Sequence, residues 1–335
     1  MSQLLSIFAV TFPIFALVLC GYVATRRGML PLGAIPGLSV YILSFALPAL
    51  LFKLGMGTPL GRLLDGPLML VYTICAAILI GAVILFGRTA RMGLKDAAFG
   101  AVVGVYPNAG FMGIPLLVVL FGEVGVRVII LTMLVDLFLV ISCCLAIVQM
   151  PEKQAGSGLM SGVLRGIGRA FAGALKGALS NPLLWPVAAG IAWGALGPAL
   201  PAPVSKTLTM LADTASPVAL FAIGAILARN AMTSTQATPV ADYLPIALVK
   251  LLVHPACVYA TGWSFMAIGV TFEAKSLAAL TLVAALPPAI NITMLAERFG
   301  ADSGRIARII MAATALSFFS LTAAVWLLGV GPSGS

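Results

Sequence analysis

The chain has 335 residues, of which 61% are hydrophobic and 9% are charged, and its formal net charge is +9. Soluble domains carry about a quarter charged residues, so the composition excludes an ordinary soluble protein and predicts a polytopic membrane protein. Basic loops on the cytoplasmic side explain a positive net charge in such a protein, so the charge does not indicate a nucleic-acid partner.

Apolar runs long enough to cross a bilayer follow one another along the whole chain. The first run has no basic stretch before it and is longer than the hydrophobic part of a signal peptide, so we expect a spanning helix there. The sequence predicts ten helices, at roughly 4–24, 34–54, 67–87, 97–121, 126–149, 181–199, 207–228, 243–268, 275–299 and 304–329.

The basic residues between these runs are distributed unequally between the two sides of the membrane. Thirteen of them lie in one set of connections and five in the other, and Lys250 lies within a run. The positive-inside rule places the richer set in the cytoplasm, so we expect both termini outside, in a bacterial inner membrane. The richer set is Arg26, Arg27, Arg88, Arg91, Lys95, Lys153, Arg165, Arg169, Lys176, Arg229, Arg298, Arg305 and Arg308, and the poorer set is Lys53, Arg62, Arg127, Lys206 and Lys275.

The two halves of the chain share residues at a fixed separation. Each half holds five predicted helices, an odd number, so the second half is expected to be inserted upside down relative to the first. We predict a first repeat at 1–149, a cytoplasmic linker at 150–180 and a second repeat at 181–335; the linker is either a plain connection or a surface helix on anionic lipid. Five pairs are 169 positions apart: Pro13 and Pro182, Gly21 and Gly190, Pro48 and Pro217, Phe52 and Phe221, Gly55 and Gly224.

The fourth run contains the stretch YPNAGFMGIP, from Tyr106 to Pro115. Proline removes a backbone donor and clashes with the preceding turn, and hydrocarbon cannot satisfy the groups that are freed. The stretch therefore predicts a helix that is broken inside the protein rather than one that faces lipid. Residues 285–293 of the ninth run read ALPPAINIT and predict a second break, so the two would cross near the bilayer midplane.

Such a crossing is suited to an anion, because the first N–H groups of a helix are unpaired and carry a partial positive charge. The second halves of the two broken helices are expected to begin near 110–113 and 289–291, and two asparagines are expected to donate to a carboxylate. In the alternative interpretation the prolines only kink helices and the asparagines join helices to each other. The candidate substrate-binding residues are Pro107, Asn108, Gly110, Gly113, Pro288, Asn291 and, in the second helix, Ser44.

Three ionisable residues lie within predicted membrane helices, where they are costly and usually functional. Asp136 lies near the middle of the fifth helix, and Lys250 and His254 lie one turn apart on the eighth. Asp136 is expected to pair with Lys250 or His254, which avoids an isolated buried charge. The pair either couples transport to protons or is a static structural element, and Lys250 would lie near the cytoplasmic surface if the eighth helix enters the membrane late.

These residues resemble a known family. NAGFMGIPL (Asn108–Leu116), the proline pair followed by AERFG (Ala296–Gly300) and ten helices in two halves look like the auxin efflux carrier family, whose bacterial members are similar to PIN-type carriers and to malonate or malate permeases. The resemblance implies a fold like that of bile acid symporters and sodium–proton antiporters. In that fold, helices 1, 2, 6 and 7 form a scaffold, helices 3–5 and 8–10 form a mobile domain, and the scaffold forms a homodimer. The chain departs from PIN proteins at Pro287 and Pro288, where they have one proline.

The sequence thus predicts an all-α secondary transporter that moves a small organic anion, a mono- or dicarboxylate or an auxin-like acid, by alternating access and without a cofactor. One alternative is a proton- or sodium-coupled symporter of another anion class. An intramembrane enzyme is a weaker alternative, because no HExxH or GxSxG is present and the chain has one histidine, and the absence of a Walker motif argues against ATP hydrolysis. A passive channel is the remaining alternative, and saturable uptake with counterflow would exclude it. The cysteines make no metal-binding or disulfide pattern and are expected to be small core residues: Cys20, Cys75, Cys143, Cys144 and Cys257.

Overall fold

The computed structural model describes residues 2–57, 65–89, 92–148, 184–233 and 239–330. Within these ranges the chain is helical and forms no strand, and one isolated antiparallel bridge joins Pro107 and Pro288. The predicted linker at 150–180 lies outside the described residues. The prediction of an all-α polytopic membrane protein is confirmed at this level.

The helices follow the order of the predicted runs, so they are numbered α1 to α10 and the two interrupted ones have halves a and b. Their bounds are α1 Ser2–Arg26, α2 Leu32–Met56, α3 Gly66–Thr89, α4a Leu94–Val105, α4b Ala109–Phe121, α5 Glu123–Val148, α6 Leu184–Leu196, α7 Ala202–Thr233, α8 Val240–Ala267, α9a Ala274–Ala285, α9b Ile292–Arg298 and α10 Ser303–Leu327.

Six of these helices, namely α2, α3, α5, α7, α8 and α10, are long and apolar enough to cross a membrane. Large apolar side chains lie on the outside, such as Phe319 at 70% exposure and Leu85 at 69%. An exposed apolar surface of this kind is expected of a protein that faces lipid. The other four segments offer shorter apolar stretches, namely Phe12–Arg26 within α1, Ala109–Phe121, Trp185–Leu196 and Ala274–Ala285, so a count of ten spans stays a prediction.

The helices contact one another in two sets. In the first set α1 packs along α7, and α2 packs against α6 and α7. In the second set α3 packs against α4a and α8, α4b against α5, and α9a against α5, α8 and α10. The sets meet where α1 contacts α10 and where α7 contacts the first turn of α4b. The break after α4a therefore lies beside the first set.

Glycines bring the helices of the first set into close contact. A Cβ atom at Gly21 of α1 would collide with the carbonyl oxygen of Phe221 in α7, and one at Gly190 of α6 would collide with that of Phe52 in α2. The two contacts are equivalent under the 169-residue spacing, because it pairs Gly21 with Gly190 and Phe52 with Phe221. Only a glycine allows the backbones to approach this closely, so these positions fix the α1–α7 and α2–α6 packing.

Wide π turns interrupt three helices just before a proline. Ile42–Ala46, Ala109–Gly113 and Val249–Val253 each end two residues before a proline: Pro48, Pro115 and Pro255. Proline cannot donate to the carbonyl one turn earlier, so the backbone widens locally around the unused group. A fourth π turn spans Asp136–Ile141 without a proline; here the Ser142 hydroxyl donates to the Leu137 carbonyl oxygen at 3.2 Å. Such turns are frequent at functional sites.

Candidate functional site

The first break lies between α4a and α4b and is built by three residues. The backbone leaves the helix at Tyr106, which is extended (φ −67°, ψ 110°). Pro107 has no amide hydrogen and cannot continue the helical hydrogen bonds. Asn108 then caps α4b, because its side-chain oxygen accepts a hydrogen bond from the Phe111 amide at 3.4 Å. The break thus occurs where the sequence predicted it, and α4b begins one residue before Gly110.

The two breaks contact each other directly through the backbone. Pro107 forms a bridge with Pro288, and the amide of Asn108 donates to the carbonyl oxygen of Pro287 at 2.8 Å. Asn108 is only 4% exposed. A buried, hydrogen-bonded contact of this kind fixes the position of the α4b N-terminus relative to the second break, as an ion- or ligand-binding site requires.

At the first break the Asn108 side chain has one group that the cap does not use. The cap uses the oxygen, so the two N–H bonds of Nδ2 are available to an acceptor. The backbone N–H groups of the first turn of α4b face the same end of the helix. Gly113 packs tightly against the second break, since a Cβ atom there would lie 2.9 Å from the Leu286 side chain. Gly110 is half-buried beside it.

At the second break α9a ends at Ala285 and α9b begins at Ile292. Pro288 is buried, whereas Asn291 is exposed and makes no side-chain capping hydrogen bond. Helix α9b is only seven residues long, so its dipole is weaker than that of α4b, which continues to Phe121. The two asparagines that the sequence paired are therefore not equivalent, and the stronger candidate for anion binding is the Asn108 end.

Lys250 of α8 joins the other two ends of the broken helices. Its Nζ atom donates to the carbonyl oxygen of Val105 at 2.7 Å and to that of Ala284 at 2.9 Å. These carbonyls belong to the last turns of α4a and α9a, where helices carry partial negative charge. Nζ also lies 3.0 Å from Nδ1 of His254. Both side chains are fully buried, so Lys250 lies inside the protein and not on its surface.

Asp136 is buried at 2% exposure and accepts a hydrogen bond from the hydroxyl of Tyr72 at 3.0 Å. Among the described residues it forms no ion pair within 4.0 Å with Lys250, although the two interact electrostatically. The rings of Tyr72 and His254 lie 5.6 Å apart. The sequence predicted that Asp136 pairs directly with Lys250 or His254. In the structure Tyr72, which the sequence analysis did not single out, donates to the carboxylate instead and lies between Asp136 and His254.

Ser44 lies in the π turn of α2 and is exposed, and among the described residues no hydrogen bond joins its hydroxyl to either break. The neighbouring Tyr41 instead bonds to Thr214 of α7 at 2.7 Å. A cavity of about 650 Å³ lies elsewhere, between α1, α7 and α10, and is lined mainly by apolar side chains such as Phe15 and Phe318. Its lining suits hydrocarbon rather than a carboxylate.

Arg305 is a further buried cation, at 5% exposure, that the loop count placed among the cytoplasmic basic residues. Its guanidinium donates to the carbonyl oxygens of Asp242 at 2.9 Å and Asp96 at 3.3 Å. The amide of Asp302 donates to the Asp96 carboxylate at 2.8 Å. Arg305 therefore joins the beginnings of α4a, α8 and α10. In the sequence only Asp302 lies close to Arg305, whereas Asp242 and Asp96 are 63 and 209 positions away, so the sequence carries no signal for this role.

Known proteins resemble this chain over most of its length. The sequence pattern of a family described as membrane transport protein matches residues 6–161 and 170–327. A protein of Rhizobium meliloti (strain 1021) named "Putative malonate transporter" is 27% identical over 324 residues, which is 95% of each chain. Both matches span the described crossing of α4 and α9, and both point to a transporter rather than an enzyme. The resemblance seen in the sequence is confirmed, and the chain belongs to the membrane transport protein family, the auxin efflux carrier family.

Proposed function

We propose that this protein is a secondary transporter that carries a small carboxylate across the membrane and binds it at the crossing of α4 and α9. The observation that carries the proposal is the buried Asn108, which caps α4b and is hydrogen bonded through its amide to Pro287. It leaves side-chain N–H groups and the N-terminus of α4b for an anion. The name of the Rhizobium relative makes malonate the first substrate to test.

The two packing sets support alternating access. In this proposal α1, α2, α6 and α7 form the scaffold, and α3–α5 with α8–α10 form the transport domain that carries the site. The glycine contacts hold the scaffold helices tightly together. The two sets touch each other mainly where α1 contacts α10 and where α7 contacts α4b. The equivalent glycine–phenylalanine contacts support an inverted repeat. The proposal also places both termini outside the cytoplasm, on the basis of the basic loops, and a dimer interface on the scaffold, on the basis of the family resemblance.

We propose that transport is coupled to protons through the buried cluster of Asp136, Tyr72, Lys250 and His254. Asp136 is a carboxylate within α5 with a single described hydrogen-bond donor, Tyr72. It interacts electrostatically with Lys250, whose ammonium donates to the Val105 carbonyl oxygen at the first break. A proton gained there changes the charge beside the substrate site. The competing proposal is a sodium-coupled or uncoupled carrier.

Purified protein in liposomes tests the function directly. We expect saturable uptake of malonate that accelerates when unlabelled malonate is loaded on the far side, because a carrier returns faster when loaded. A linear, non-saturating flux without counterflow would instead indicate a channel. Absence of flux for malonate, malate, lactate and indole-3-acetate alike would refute a small-carboxylate carrier. An imposed pH gradient, with and without sodium, separates the coupling alternatives.

A further inference from the structure

The crossing of the two broken helices creates an electrostatic problem that the chain solves internally. Helices α4a and α9a both end at the breaks, and the last carbonyls of each helix have no intrahelical partner. Each end carries about half a negative charge. Two such ends close together repel each other, and hydrocarbon offers no water to screen them. A cation at this point is therefore required for the breaks to touch.

Lys250 supplies that cation from α8. Its Nζ atom lies 2.7 Å from the Val105 carbonyl oxygen and 2.9 Å from that of Ala284, one from each broken helix. The third neighbour is Nδ1 of His254, at 3.0 Å. An ammonium group has three N–H bonds, so these three acceptors satisfy it completely when the His254 ring proton is on Nε2. The lysine side chain is 0% exposed.

This coordination resembles what a bound alkali cation would receive. In transporters with broken helices, unwound carbonyls and the C-terminal ends of half-helices coordinate sodium ions or protons near the midplane. Here an ammonium group has two ligands of the second kind, the carbonyl oxygens at the C-terminal ends of α4a and α9a, but it is covalently attached to α8 and cannot leave. The carboxylate of Asp136 interacts with it electrostatically, as a nearby counter-charge would with a bound ion.

We propose that Lys250 is a tethered cation that takes the place of a bound sodium ion at the crossing, so that anion transport requires no sodium at this point. Lys250 acts as a positioning residue: it holds the ends of α4a and α9a together and thereby places Asn108 for the substrate. The transport part of this inference rests on the proposed function, whereas the cation-site part does not.

A pair of substitutions distinguishes a cation site from mere packing. Lys250→Ala removes the ammonium and leaves space beside the three acceptors, whereas Lys250→Met fills much of that space with an apolar chain. We expect malonate transport by the wild-type protein to be equal in sodium and in the bulky cation N-methylglucamine. In N-methylglucamine both variants should lose transport about tenfold or more, since both lack the charged hydrogen bonds that hold the two helix ends together. Sodium or methylammonium should restore Lys250→Ala but not Lys250→Met.

Thermal unfolding in detergent provides the same test without transport. Sodium or methylammonium should raise the unfolding temperature of Lys250→Ala in a concentration-dependent way and leave the wild type and Lys250→Met unchanged. Where Lys250→Ala does not fold, Lys250→Gln, which is shorter and uncharged, takes its place. This measurement tests the cation site even when no carboxylate is transported. A failure of the proposed function can therefore be distinguished from a failure of the cation-site proposal.

Three results would overturn the proposal. The first is a wild-type protein whose malonate transport needs sodium. The second is a Lys250→Ala variant that transports normally in N-methylglucamine. The third is a Lys250→Ala or Lys250→Gln variant that sodium and methylammonium neither stabilise nor reactivate. Rescue of Lys250→Ala together with Lys250→Met would equally contradict it, because the effect would then not depend on space beside the carbonyls.

Discussion

Replacing Asn108 by aspartate separates the two roles of this side chain, the helix cap and the substrate donor. The aspartate keeps an oxygen that can accept from the Phe111 amide, as Asn108 does at 3.4 Å. It removes the Nδ2 donor and adds a negative charge. Asn108→Ala removes both the cap and the donor. The comparison of the two variants therefore shows which role accounts for anion binding.

The expected magnitudes follow from the geometry. The cap hydrogen bond is long, so its loss in Asn108→Ala should cost about 0.5–1 kcal/mol of stability, the lower part of the range for caps. Loss of an N–H bond to a carboxylate should cost about 1.5–3 kcal/mol, or about 10- to 150-fold in affinity. In Asn108→Asp, repulsion between two charges about 4 Å apart adds up to about 4 kcal/mol near a protein surface.

Binding of malonate, measured by calorimetry or by the shift in unfolding temperature, is the appropriate assay. We expect Asn108→Asp to unfold near the wild-type temperature but to bind malonate more weakly than Asn108→Ala does. Asn291→Asp introduces the same charge at the exposed second break and should weaken binding less. A stably folded Asn108→Asp variant with the wild-type Kd would refute the assignment of Asn108 as the substrate donor.

Three further changes test other parts of the molecule. Gly190→Ala forces a Cβ atom against the Phe52 backbone and should lower the free energy of unfolding by about 1–3 kcal/mol. Gly81→Ala in α3 is the control, because a Cβ atom there meets nothing within 4 Å. Equal unfolding temperatures for the two variants would contradict the close α2–α6 packing. Asp136→Asn should remove the response of malonate uptake to a pH gradient, and an undiminished response would exclude Asp136 as the coupling group. Arg305→Gln should lower the unfolding temperature because it abolishes bonds to two other helices, while Arg298→Gln, at an exposed position, should leave it unchanged.

The two breaks could be predicted from the sequence because their cause is local. Pro107, Pro287 and Pro288 remove backbone donors wherever they are placed, and the apolar context excludes a lipid-facing loop. The start of α4b at Ala109 lies one residue from the predicted interval. The breaks therefore depend on backbone chemistry that neighbouring residues already determine. The 169-residue spacing marks glycines whose close contacts, such as Gly21 with Phe221, are distant in the chain, so the spacing showed which positions recur but not their partners.

The partners of the buried charges could not be predicted in the same way. Lys250 bonds to residues that lie 145 and 34 positions away, and its partners are backbone carbonyls, which carry no sequence signature. The sequence offered Asp136 as the partner because opposite charges attract. Arg305 was counted as a loop residue because the positive-inside rule uses position alone. Asn291 appeared equivalent to Asn108 by symmetry, but the short α9b leaves it exposed.

The charges around the crossing lead to a final expectation for Asp136. The positive charge of Lys250 offsets the partial negative charges at the C-terminal ends of α4a and α9a, about half a charge each. The partial positive charge at the N-terminus of α4b is then free to attract an anion. Asp136 opposes that attraction when it is ionised, because Tyr72, which donates to it at 3.0 Å, lies beside His254 and Lys250 at the ends of the broken helices. A proton on Asp136 should therefore strengthen anion binding, and an asparagine should do so permanently. We expect Asp136→Asn to bind malonate more tightly than the wild type at neutral pH, with a Kd that no longer falls on acidification. A weaker or still pH-dependent Kd would show that the carboxylate supports the fold of the site rather than coupling it to protons.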